Sequence, residues 1–352
     1  MAESPRETVA KHLSDPSKPL RPILTSLNGD NSWLMSFPRP EVERAATGKV
    51  FHHLAFEPWL NGAAHVGHPW IIHLARVEKE GISTFEDLEN LICEIEQAAS
   101  AHLPSNANDR TVKQKPTYLL DAILLGFFYS DHLHPQTLKT FPPEIPVIVT
   151  PPGAAIIKPW NHFKTIKIIN NFDPSATTWK SPDLHPGDPV PRWFTPLMIL
   201  GKSELNFVFA IIWSHTVNGE EVHEVILDSP HGIQLDAKPL EAFLASEPKT
   251  KKLAMLHGLK ESHTGGIQTC YGAKGGLGLH RKVGGVDHWV LTHSSELKYT
   301  GIFMRLVWTT DTPRTIEWAL EEEEKEHPDE ELSGPPHFIK VPNGGSTVLT
   351  CG

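Results

Sequence analysis

Three apolar stretches of this 352-residue chain run into histidine. Tyr118 to Leu125 (YLLDAILL) leads into Gly126-Phe127-Phe128-Tyr129-Ser130-Asp131-His132. Ile226-Leu227-Asp228-Ser229-Pro230 leads to His231-Gly232, and Trp289-Val290-Leu291-Thr292 leads to His293. A polar side chain just past a buried strand stands where an α/β sheet presents its residues to a ligand crevice. One carboxylate and three imidazoles from separate strand ends are the oxygen and nitrogen donors a divalent transition metal takes, and Zn, Fe and Mn all suit such a set. A single ion of this kind polarises a carbonyl or lowers the pKa of a bound water. Taken alone, Asp131-His132-Leu133-His134 equally suits a pair that caps the next helix. The recurrence at three strand ends favours metal, because burying these groups without an ion or one another is costly. The competing reading is a non-catalytic protein in which they only hold sheets together. With 21 histidines in the chain, position has to select among them. His215 is a spare candidate at a strand end, and His134 is read as supporting the site or the start of a helix.

The elements that would carry these residues follow from the pattern around them. Ile23 to Phe37 (ILTSLNGDNSWLMSF) alternates apolar residues around a Gly29-Asp30 turn and predicts two short strands. Val50 to Phe56 predicts another. Thr84 to Ala101 has an N-cap threonine, early acidic residues, and Phe85, Leu88, Leu91, Ile92 and Ile95 at helical spacing. Tyr118 to Leu125 has the nearly unbroken apolar content of a strand covered on both faces. A helix near Pro135, a strand over Ile145 to Val149 and a further helix over Ala154 to Trp160 complete an α/β order. Pro174 to Pro196 reads as a long surface loop near the opening of a site. Phe207 to Trp213 and Val222 to Leu227 form a hairpin across Asn218-Gly219. The glycine-rich Gly272 to Gly278 lacks the spacing of a nucleotide fingerprint and is read as a junction between helix and strand. Glu321 to Leu332 is a charge run expected as a solvated loop or frayed helix end, and Pro335 to Gly352 as a returning strand pair.

Composition narrows the partners. A net charge of -10 and a pI near 6.1 argue against a nucleic-acid groove, which needs a concentrated basic face. The proline-broken polar N-terminus has no apolar core for a secretory signal, and no window reaches the roughly 20 apolar residues of a membrane span. The expectation is a cytosolic protein acting on a small molecule, with no membrane partner and a homo-oligomer left open. Three scattered cysteines, Cys93, Cys270 and Cys351, do not make a disulfide framework, so reduced thiols are expected. Trp59, Trp70, Trp193 and Trp213 hint at an apolar or ring-containing substrate.

The order of these motifs resembles the metallo-β-lactamase superfamily, in particular its broad branch of lactonase-like and sugar-phosphate-hydrolase-like proteins. The residues that carry the likeness are the strand followed by Asp131-His132, the His231-Gly232 turn, the closing Thr292-His293, and the opening LNGDNSWLMSF and FEPWL, over roughly Ile23 to Trp308. The resemblance implies an αββα four-layer sandwich with its site at one edge. The superfamily pattern His-x-His-x-Asp-His is degenerate here, because Phe127 and Tyr129 hold the first two histidine positions. His231 stands where a bridging aspartate is usual, and His293 is at the final ligand position. The resemblance therefore implies a mononuclear site of Asp131, His132, His231 and His293. Tyr129, standing where a ligand would, is expected with Asp131 to take part in catalysis, as an acid or hydrogen-bond donor to substrate. Glu57 and Asp228 are expected to orient histidines from behind. The domain division that follows is a flexible segment over 1–20, the metallo-β-lactamase-like domain over 21–315, an acidic loop over 316–334, and an extension packing on the domain over 335–352. The implied activity is hydrolysis of an ester, lactone or thioester. A metal-assisted lyase, isomerase or oxygen-using reaction of secondary metabolism is the alternative, since loss of a second metal removes the bridging hydroxide.

Overall fold

The runs ILTS, WLMSFP and FHHLAF form the strands Ile23–Ser26, Trp33–Pro38 and Phe51–Phe56, with every residue buried. The computed structural model describes residues 4–15, 17–68, 70–103, 117–328 and 333–351. The architecture is mixed α/β with several sheets. The chain divides into two units. The first comprises Met1–Gly62, Glu78–Ile166 and Val341–Thr350, and the second Ala63–Val77, Lys167–Lys340 and Cys351–Gly352.

In the first unit those three strands pair antiparallel in sequence order, with Ser346–Val348 added antiparallel to Ile23–Ser26. Ala122–Leu125 then pairs parallel to Phe51–Phe56, and Val147–Val149 parallel to Ala122–Leu125. Parallel pairing puts the carboxyl ends of Phe51–Phe56 and Ala122–Leu125, hence Glu57 and Gly126 onward, at one margin of the sheet. The strand expected over Tyr118 to Leu125 starts only at Ala122. The Leu119 and Leu120 amides donate instead to the Glu89 carboxylate, and Asp121 is drawn to Lys49 and Arg39. The helix Phe85–His102 starts where its signals predict: Thr84 and Asp87 cap each other reciprocally, and Leu88, Leu91, Ile92 and Ile95 are buried. Residues 5–13, within the segment read as a flexible arm, form the helix Pro5–Leu13, capped by Ser4 and Glu7 and set against Phe85–His102. Residues 1–3 and 16 of that segment lie outside the described residues.

In the second unit a six-stranded sheet runs in the order Phe338–Ile339, His288–Leu291, Lys251–His257, Glu220–Asp228, Phe207–Val217 and Phe194–Leu200. The first four strands are mutually parallel and the last three antiparallel. The hairpin turns at Asn218 (φ 53°) and Gly219 (φ 86°), the two positive-φ positions of a tight turn whose twist matches the strands. Lys251–His257 is not signalled by sequence, since KKLAMLH lacks β-branched residues. Its place is set by tertiary pairing on both sides. The core of this unit gathers Trp179, Ile212, Leu227, Met255 and Trp289. Trp179 and Leu184 belong to the stretch expected as a surface loop. Their apolar bodies are buried, and Trp179 Nε1 donates to the Pro248 carbonyl at 2.6 Å.

The glycine-rich Gly272 to Gly278 is not a junction but the first two turns of the helix Gly272–Lys282. A Cβ on Gly276 would fall 2.4 Å from the Trp289 ring, so glycine lets helix and sheet approach closely. Ile316–Glu326 is a helix capped by Thr315, which takes in the start of the expected acidic loop; residues 329–332 lie outside the described residues. Phe338–Ile339 and Ser346–Val348 are strands as the tail predicts, but each joins a different sheet. Two three-stranded sheets complete this unit: Ile267–Tyr271, Glu261–Thr264, Thr309–Thr312, and Leu297–Thr300, Ile72–Arg76, Ala64–Val66. Among the described residues no helix is long and apolar enough to cross a membrane.

Candidate metal centre

The predicted residues fall into two groups, each within one unit. In the first unit, Glu57 follows Phe51–Phe56 with a left-handed backbone (φ 45°) that a glutamate rarely adopts. The turn carries its side chain under the neighbouring strand end. There Oε1 accepts the Gly126 amide at 3.1 Å and the Phe127 amide at 2.9 Å, and Oε2 accepts from His132 Nδ1 in a short contact. Both side chains are buried. Glu57 thereby holds the proton on Nδ1 and leaves Nε2 as the basic nitrogen, the carboxylate–imidazole arrangement found behind metal-bound histidines. Asp131 Oδ2 lies 3.7 Å from that Nε2, so the two donors converge. Asn31 Nδ2 donates to the Asp131 carbonyl at 3.2 Å and pins the turn.

Tyr129 is half-buried, its ring 4.7 Å from Phe127 and 5.0 Å from Phe128. Its carbonyl accepts the His132 and Leu133 amides, so the residue shapes the turn whatever its phenol does. His134 caps the short helix Pro135–Leu138, accepting the Thr137 amide through its side chain. It serves the helix start.

In the second unit, parallel pairing puts the carboxyl ends of Glu220–Asp228, Lys251–His257 and His288–Leu291 at one margin. His231 and His293 leave the outer two of these strands, and their Nε2 atoms stand 3.0 Å apart. His231 Nδ1 donates to the Leu205 carbonyl at 3.2 Å, which makes Nε2 its basic nitrogen. His293 is turned inward by a left-handed backbone (φ 47°). Strained conformations of this kind at Glu57 and His293 are retained where surrounding structure enforces them, and they gather at functional positions. Gly258, at the end of the middle strand, has the carbonyls of Thr292, His293 and Pro230 within 3.4 Å of where a Cβ would stand. Asp228 is buried at the last strand position, three residues before His231.

His215 lies elsewhere. It pairs with Val222 near the hairpin turn, whereas Asp228 pairs with Phe209, and six residues of strand separate the two by about 20 Å. Its ring stacks on Trp213 at 3.8 Å, and Nε2 faces the Glu224 carboxylate at 3.4 Å. Trp59 is fully buried and Trp213 nearly so, which makes both core residues. Asn31 and Gly258 were not singled out by the sequence; the turn-forming LNGDNS was the available signal for the first.

Donor chemistry and spacing suit a metal. Two ligands bound at about 2.0–2.2 Å stand roughly 3–3.6 Å apart, close to the separations within both pairs. His132, His231 and His293 are all buried, and in His132 and His231 a partner on Nδ1 leaves Nε2 for coordination.

No family model matches the chain, and no curated protein matches it. Among solved structures it is similar to a possible metal-dependent hydrolase from Veillonella parvula DSM 2008, with 10% identity over 94% of this chain and 100% of that one and a TM-score of 0.46. It is also similar to an isothiocyanate hydrolase from Delia radicum gut bacteria, with 11% identity over 94% and 100% and a TM-score of 0.49. A third is Igni18, a metallo hydrolase from Ignicoccus hospitalis KIN4/I, with 10% identity over 94% and 99% and a TM-score of 0.43.

Proposed function

We propose that the chain is a metal-dependent hydrolase of a small ester, lactone or thioester, with one divalent ion held by Asp131, His132, His231 and His293. The observation that carries the reading is the pair of histidine Nε2 atoms 3.0 Å apart, a separation that suits two ligands of one cation. The Glu57–His132 contact supports it from the other donor pair, because it leaves Nε2 basic. The αββα four-layer sandwich is the architecture that goes with this proposal, and Phe338–Ile339 and Ser346–Val348, each an edge strand of one larger sheet, extend it beyond the residue 315 expected from sequence.

A bound ion would supply Lewis acidity toward the substrate carbonyl and toward water. The chain's own residues do the rest. Glu57 holds the proton on His132 Nδ1, and the Leu205 carbonyl does the same for His231 Nδ1. Tyr129 offers a phenol, which as a hydrogen-bond donor stabilises charge on a substrate oxygen.

The test is elemental analysis of protein purified without a metal-binding tag, followed by turnover measurements on lactone, ester and thioester panels. About one equivalent of metal, lost on Asp131→Ala and on His293→Ala, and turnover that disappears with the metal are the expected results. Metal retained in both variants would overturn the ligand set, and metal-loaded protein inert on every panel would overturn the hydrolytic reading.

A further inference from the structure

In the second unit the hairpin of Ala64–Val66 and Ile72–Arg76 carries three histidines, His65, His68 and His73, none of which belongs to the centre described above. The register sets His65 directly opposite His73. Both side chains therefore leave the same face of the sheet, with Cβ atoms about 4.5–5.5 Å apart. Their ring centroids are 4.9 Å apart and the planes 43° from each other. That is nearly the 4.8 Å of His231 and His293, the pair whose nitrogens stand at ligand spacing. His68 follows the left-handed Gly67 (φ 73°) in the turn. The Ile71 amide donates to the His68 carbonyl at 2.7 Å, which folds the turn back toward the strands.

A histidine at a surface ordinarily meets water or a hydrogen-bond partner. His65 Nδ1 is instead shielded from solvent with no hydrogen-bond partner, a cost that a bound cation would remove. Burial, then the neighbouring His73 and His68, hold the His65 pKa below its ordinary value. The ring is thus neutral at pH 7, the form that coordinates metal. Imidazole donors suit borderline divalent ions such as Cu²⁺, Zn²⁺ and Ni²⁺ rather than Mg²⁺ or Ca²⁺, and Cu²⁺ binds most tightly in that series. The His68 ring lies 5.8 Å from Trp70, an indole that is 60% exposed.

We propose that His65 and His73 form a second metal site, chelating one borderline divalent transition-metal ion across the two strands, with His68 closing on it from the turn. The site shares no residue with the centre at Asp131, His132, His231 and His293 and does not depend on it. The test is Cu²⁺ binding to metal-stripped full-length protein prepared without a metal-binding tag, followed by isothermal titration and electron paramagnetic resonance. Wild type, His293→Ala, His65→Gln and His73→Gln are compared. The expected result is one equivalent that persists in His293→Ala and shows nitrogen hyperfine coupling. It should weaken about a hundredfold on loss of either His65 or His73, as a two-point attachment reduced to one does, and less on His68→Gln. Unchanged circular-dichroism spectra separate ligand loss from unfolding. The paramagnetic ion should also quench Trp70 fluorescence, so Trp70→Phe should keep the ion and lose that quenching. Cu²⁺ held equally by wild type, His65→Gln and His73→Gln would overturn the site, whether or not His293→Ala releases metal, and so would quenching that Trp70→Phe leaves intact. An equivalent lost only on the hairpin variants upholds this site and counts against the centre at His231 and His293.

Discussion

His231 Nε2 and His293 Nε2 stand 3.0 Å apart, and the Leu205 carbonyl occupies the Nδ1 proton of His231. His231 Nε2 is thus an acceptor, and the pair is held together either by a proton on His293 Nε2 or by a cation that both rings ligate. A cation that binds the folded chain and not the unfolded one adds about 2.7 kcal/mol of stability at a hundred times its dissociation constant. Chelation should therefore lower the thermal midpoint and Zn²⁺ should restore it, with His293→Ala insensitive to both. A wild-type midpoint indifferent to chelator and metal would refute the cation.

Glu57 ties the His132 ring to the neighbouring strand end, since one carboxylate accepts two strand-end amides and the ring. Glu57→Gln keeps an acceptor for the amides but loses the negative charge behind the imidazole. Its expected effect is a 10–100-fold fall in metal affinity with little change in stability. Glu57→Ala leaves buried donors without a partner and should cost about 1–3 kcal/mol for the amides alone. Metal titration and urea denaturation of the two variants separate these roles, and equal metal affinity in wild type and Glu57→Gln would remove Glu57 from the centre.

Much of this framework is legible in sequence because its signals are local. Asn218-Gly219 specifies its turn, Thr84 and Asp87 start their helix, and the apolar runs ahead of Asp131, His231 and His293 read as strands. Lys251–His257 is not legible, because Leu253, Ala254, Met255 and Leu256 acquire strand conformation only from the parallel neighbours on either side. Gly272 to Gly278 misleads for a related reason: its glycines answer to Trp289 and Tyr271 packed against them, not to a loop. The position of Glu57 marks it as an orienting group, but its two backbone donors and its left-handed turn come only from three dimensions.

Gly276 gives the packing prediction. A methyl group there would meet Trp289 at 2.4 Å and His257 Nδ1 at 2.8 Å, two fully buried rings with little room to shift. Helix propensity favours alanine over glycine by up to about 1 kcal/mol, while overpacking costs typically 1–3 kcal/mol, and with two rigid neighbours the clash should win. Gly276→Ala should unfold at lower urea than wild type. Gly284→Ala is the contrast: it meets nothing within 4 Å but has φ 82°, so its loss reports backbone strain alone.

Acid stability should depend on Asp121. Burial raises its pKa, but His52, Lys49 at 2.5 Å and Arg39 at 2.6 Å together outweigh that and hold the carboxyl far below its ordinary range. His52 lies beside them at 3.6 Å, yet burial, opposed by Asp121 and reinforced by Arg39 and Lys49, pushes its own pKa down to about 3. At neutral pH His52 is uncharged and accepts from Arg39 at 3.2 Å, so Lys49 and Arg39 hold the carboxylate there, and His52 adds its charge only in acid. A carboxyl depressed in the folded state contributes stability that is complete above its unfolded value near 3.8 and declines as pH falls below it. Asp121→Asn should cost about 3–5 kcal/mol at neutral pH, because it leaves Lys49 buried without its counter-charge and Arg39 with Glu43 alone at 3.3 Å. It should also flatten the fall in stability below about pH 4. Urea midpoints of wild type and variant from neutral pH to strong acid measure both effects, and parallel curves would show that Asp121 is not the group whose protonation loosens this unit.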